Sequence, residues 1–100
     1  MSSAIISAAI AGRKILQFDY DGGTRLVEPH QLGLNKAGHE ALSAYWVGGF
    51  SASKNTPRWR EYLVAKMSNI SATTDKFDGP RPGYKAAPNG TFPGGVTAQL

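Results

Sequence analysis

Arg58, Arg60 and Tyr62 alternate along one short stretch, R-W-R-E-Y, and Lys54 stands shortly before it. In an extended chain alternate residues share a face, so these three side chains point the same way. Guanidiniums that hold phosphates beside a ring that stacks on a base are the ingredients of single-strand nucleic-acid recognition. The same residues would also serve as a solvated face whose arginine stems cover apolar surface. Trp59 points to the other face and is expected in the core. Arg25 is the first choice for a single contact residue, because its planar fork of donors matches a phosphate or a carboxylate. A local ion pair with Glu28 competes for it. Three residues apart on a strand means opposite faces, so that pair needs a bend or bulge near Pro29.

Other chemistry is poorly represented. His30 and His39 are too few for a metal site in a chain without cysteine, and the acidic residues do not cluster with them. Gly49-Phe50-Ser51-Ala52-Ser53 is a partial G-x-S-x-G pattern without its last glycine, and it falls between two strands instead of between a strand and a helix. No phosphate loop of the Walker or dinucleotide kind is present. A non-enzymatic protein with no cofactor and no metal is expected.

The elements that must position the arginines are legible from periodicity. Leu16, Phe18 and Tyr20 alternate with Gln17 and Asp19, the period of a half-buried strand. Asp21-Gly22-Gly23 tolerates positive φ and predicts a tight hairpin into a second strand, Thr24 to Glu28, which Pro29 is expected to end. His30 to Asn35, Glu40 to Val47, Arg58 to Ala65 and Ile70 to Thr74 read as further strands. Ser3 to Ala11 reads as a helix with Ile6 and Ile10 on one face, capped by Ser2 or Ser3 and closed by a left-handed Gly12. The region from Phe77 onward holds four of the six prolines. Phe77 and Tyr84 are expected to pin its first part, with Arg81-Pro82-Gly83-Tyr84 an anchor. Residues 85–100 form a Pro/Gly-rich tail, either mobile or an arm for another copy. The organisation is thus a domain over 1–84 and a tail over 85–100. The class is mainly β: a small bent sheet or barrel of five or six short strands with a short N-terminal helix.

One hundred residues suit a single domain, and a net charge of +4 suits an anionic partner. Without cysteine, no disulfide framework or thiol nucleophile exists. No apolar run approaches a bilayer span, and no basic segment precedes the apolar N-terminus. A cytoplasmic protein with no membrane partner is expected.

The order of several short motifs resembles the WYL domain family. These are Ile6-Ser7-Ala8-Ala9-Ile10, Leu16 to Tyr20, Arg25 to His30, Leu42 to Tyr45, Trp59 to Tyr62, and the closing D-x-F-x-G-P-R-P-G-Y from Asp75 to Tyr84. The Trp-Tyr-Leu run that names the family falls near Glu40-Ala41-Leu42, where Leu42 alone matches. The resemblance implies a small Sm-like barrel behind a leading helix. It also implies a ligand-sensing role, in several members for nucleic acid, in bacterial transcription regulation or phage defence. With no winged helix in this sequence, a DNA-reading or defence protein would be a separate partner.

The expectation is a regulatory binding module for an anionic small ligand, a nucleotide or single-stranded nucleic acid, carried by Arg25, Arg58, Arg60, Tyr62 and Lys54. The alternative is an interaction or homo-oligomerisation module whose sheet edge or tail pairs with another chain.

Overall fold

The computed structural model describes residues 2–49, 58–84 and 92–100, with Ser2 described by its backbone alone. The chain runs α1 (Ser2–Ala11), β1 (Lys14–Tyr20), β2 (Gly23–Leu34), β3 (Glu40–Gly49) and β4 (Trp59–Leu63). A 3-10 turn over Val64–Lys66 leads to β5 (Ser68–Lys76), and β6 (Gly95–Gln99) ends the chain. All strand pairs are antiparallel, in the order β4-β3-β2-β1-β5, with β6 on β2. The mainly β class with one short leading helix is as expected. Of the two forms, bent sheet or barrel, the sheet is the open one: β4 and β5 end the order and do not pair with each other.

The β1–β2 hairpin closes in two residues, Asp21 at φ 48° and Gly22 at φ 84°. Two consecutive positive φ values make the I′ type of turn, whose twist matches that of the strands it joins. The second strand does not stop at Pro29. It continues to Leu34, and a register shift against β3 lies between Pro29 and Gln31. A bulge absorbs the missing N–H, so two expected strands are one. Its first half pairs β1 and its second half pairs β6, so β2 carries different neighbours on either side of the proline.

The helix buries Ile6, Ala9 and Ile10 against the sheet, where they meet Leu16, Phe18, Val27, Leu32, Leu42 and Ala44. Each such side chain contributes roughly 1.5–3 kcal/mol on burial, which offsets the marginal stability of so short a helix. Its C-terminal end differs from expectation, and its first turn is tied to β3. Ser3 donates to the Glu40 carboxylate at 2.7 Å, and the left-handed residue after the helix is Arg13, at φ 52°, not Gly12.

The C-terminal residues also depart from the sequence reading. Phe92 is buried and β6 pairs β2 from Gln31 to Leu34, so residues 92–100 complete this chain's own sheet. Gly33 makes that pairing possible: a Cβ there would run into the Gly95 carbonyl and the Phe92 side chain.

Candidate functional site

The two faces of the sheet carry two different constellations. On the inner face, alternation along β3 and β4 directs Ala44, Trp46, Arg60 and Tyr62 toward the side of the core, with Arg58 opposite Trp46 at the β4 end. Arg58 and Arg60 both lie over the Trp46 ring, their guanidinium carbons 5.3 and 5.0 Å from its centroid. Arg58 also donates to the Trp46 carbonyl at 3.3 Å. The Trp46 indole Nε1 is buried and has no hydrogen-bond partner among the described residues. A desolvated donor without an acceptor costs about 1–3 kcal/mol.

Arg25 is buried, 3 % exposed, deeper on the same side. It donates from Nη2 to the Tyr20 carbonyl at 3.0 Å, and its guanidinium carbon lies 5.7 Å from the Tyr20 ring centroid. The structure therefore places Arg25 beneath the surface, where the sequence reading took it as a leading contact. Its hydrogen bond to Tyr20 staples the hairpin, and the Glu28 carboxylate is held by Arg81.

Tyr62 differs most from its expected role. It is 2 % exposed and packs edge-on against both Phe18 and Tyr20, with ring centroids 5.0 Å away in each case. Burial raises its phenol pKa, while Arg60 and Arg25 beside it pull in the opposite direction. Tyr62 is a core residue with cationic neighbours; no base could reach its ring. Arg58 is exposed and Arg60 half-buried, so these two reach solvent. Lys54 and Ser51 lie outside the described residues.

The outer face holds a cluster that the arginine-centred reading missed. Glu28 and His30 on β2, Tyr45 on β3 and Trp59 on β4 lie under the segment from Phe77 to Tyr84. Trp59 is half-buried against His30, Tyr45 and Tyr84, so its expected core position is in this second cluster, not the main one. Arg81 forks onto Glu28, Nε to Oε1 at 2.6 Å and Nη2 to Oε2 at 2.8 Å. This bidentate pairing to a buried carboxylate is a strong form of charge-assisted hydrogen bond. It raises the Arg81 pKa, mainly through the hydrogen bonds to Glu28.

His30 is fully buried. Its Nε2 accepts the Arg81 backbone N–H at 3.0 Å, so the neutral ring carries its proton on Nδ1 and donates to the Glu28 carbonyl at 2.7 Å. Burial is the largest influence on this ring and pushes its pKa down. The anchor itself is a turn: Tyr84 N–H donates to the Arg81 carbonyl at 3.1 Å, with Pro82 second and Gly83, at φ 92°, third. Proline then glycine with positive φ is the type II signature. The signal for this cluster was present in the closing G-P-R-P-G-Y motif, whose Arg81-Pro82-Gly83-Tyr84 reads as an anchor.

Among the described residues no group of three or more His, Cys, Asp or Glu could hold a metal ion. No described helix is long and apolar enough to cross a membrane. Compared with family models, curated proteins and solved structures, the chain matches none.

Proposed function

We propose that this protein is a non-enzymatic, ligand-sensing module that binds an anionic ligand, a nucleotide or single-stranded nucleic acid, at the inner-face rim around Trp46. The observation that carries the reading is the pair Arg58 and Arg60 set over one indole ring, with Arg58 exposed and Arg60 half-buried at the rim. Two guanidiniums next to a π-face supply both halves of nucleotide recognition, charge for phosphate and a platform for a base. Arg25, below the rim, adds positive potential without contact. The net charge of +4 favours the same class of ligand. The resemblance to WYL domains supports a regulatory role, in transcription or phage defence, exercised through a separate DNA-binding or defence protein.

Fluorescence anisotropy with labelled single-stranded DNA and RNA at two salt concentrations tests this. Binding should weaken with salt at a log–log slope near −0.7 per phosphate contacted, and Arg58→Ala and Arg60→Ala should each weaken it. Binding that ignores both substitutions would overturn the assignment of the site.

A second reading, an interaction module, is favoured by the open sheet. β5 lies at one end of the strand order and exposes most of its side chains, and an unpaired edge is a template for another strand. Sedimentation equilibrium decides it: a concentration-dependent dimer supports this reading, and a monomer at high concentration removes the homo-oligomeric form.

A further inference from the structure

The outer face of the sheet carries a groove that the chain fills with its own residues. Its floor is Glu28 and His30 on β2, Tyr45 on β3 and Trp59 on β4, and the segment 79–84 lies along it. The fit is chemically specific. The Arg81 guanidinium grips Glu28 with both carboxylate oxygens and lies 4.7 Å from the Tyr45 ring centroid. Its backbone N–H donates to His30, and the Trp59 indole donates to the Pro82 carbonyl at 2.8 Å. Pro80 and Pro82 fix φ on either side of the arginine, so little chain entropy is lost on docking. Gly83 allows the approach, because a Cβ there would sit 3.1 Å from the Trp59 indole nitrogen.

An aromatic groove, an indole N–H for a peptide carbonyl and an acid for an arginine are together a means of reading a proline-rich segment that turns just after its arginine, as residues 81–84 do. We propose that this groove is a peptide-docking site for a proline-flanked arginine segment of a partner protein, kept closed by the chain's own residues 79–84.

The occupant's chemistry is argued from the residues that now fill the groove: each bond made by Arg81 and Pro82 is one that such a segment would make in trans. Displacement is feasible because the strap is not close-packed. An open hollow of about 590 Å³ lies along Glu28, Lys76 and Phe77 to Arg81, and Pro80, Arg81, Pro82 and Gly83 are exposed. A tethered strap competes at a millimolar effective concentration, so a partner must carry a better segment or a second contact. This groove and the Trp46 rim lie on opposite faces, and neither proposal depends on the other.

The test is a titration of the full chain with a labelled peptide Gly-Pro-Arg-Pro-Gly-Tyr, the sequence of residues 79–84. Wild type should bind it weakly, and Arg81→Ala, which loosens the competing strap, should bind at least about tenfold tighter. Adding Glu28→Gln to that variant should abolish the gain, and a peptide with its arginine replaced by alanine should not bind. A folded Arg81→Ala protein that binds no tighter than wild type, or that accepts both peptides equally, would overturn the proposal. If Arg81→Ala does not fold, the wild type at millimolar peptide decides: a saturable shift of the Trp59 indole N–H resonance supports displacement, and an unmoved resonance refutes it.

Discussion

Arg81 reaches the Glu28 carboxylate from 53 positions further along the chain, and the two partners are unequal: the Glu28 side chain is 5 % exposed and that of Arg81 43 %. The carboxylate is committed to the interior and the guanidinium straddles the boundary with water. Breaking such a pair from its two ends has different consequences, because only one end leaves a desolvated charge behind.

Arg81→Ala should therefore lower the melting temperature by several degrees, since Glu28 stays buried without its fork. Glu28→Gln in the Arg81→Ala background should recover part of the loss by removing the stranded charge. Thermal unfolding of the single and double variants checks this as a double-mutant cycle. Strict additivity would mean that the two residues do not act as a pair.

Stability should fall in mild acid through His30. The ring faces Glu28 on its own strand and Arg81 and Tyr84 on the segment above it, and burial holds its pKa below the ordinary 6.5. In the unfolded chain the imidazole takes up a proton near that value, whereas the folded ring resists until a lower pH. The unfolded state then binds more protons, so stability is complete above about pH 6.5 and declines below it, levelling once the folded ring also protonates. Urea unfolding from pH 7.5 down to 5 should show the decline. His30→Gln should flatten this part of the profile.

Tyr62 should behave as core. Tyr62→Ala is expected to cost about 3–5 kcal/mol, the range for emptying an aromatic site in a packed interior. Tyr62→Phe should cost far less, about 0.5–1.5 kcal/mol, because it keeps the ring packing and removes only the hydroxyl beside Arg25 and Arg60. It should also leave ligand binding at the Trp46 rim intact. Urea denaturation and the anisotropy titration read the two effects separately.

Gly33→Ala should loosen the C-terminal strand. The added methyl meets the Gly95 backbone, which cannot swing aside as a side chain would, and the Phe92 side chain at 3.0 Å. Limited proteolysis should cut this variant within residues 92–100 faster than wild type, with the β1–β2 hairpin still protected. Equal rates would mean that β6 accommodates the methyl group.

The amino-acid sequence by itself determined what depends on neighbours along the chain. Alternation placed Leu16, Phe18 and Tyr20 in a strand, Asp21 and Gly22 set the hairpin, and alternation put Arg58, Arg60 and Tyr62 on one face. Depth was not legible from alternation. The face that carries Arg58 at the exposed rim runs within a few residues into the core at Tyr62, because there the Phe18 and Tyr20 rings of β1 close over it. Tertiary structure also decided which acid meets which arginine. Period two separates Arg25 from Glu28 but cannot say that Arg81 lies across the sheet to receive the freed carboxylate. Nor could local pattern show that Pro29 sits at a bulge, or that the glycine-rich end docks as β6. Those outcomes are set by partners distant in sequence, whose backbone groups and pockets exist only once the sheet has formed.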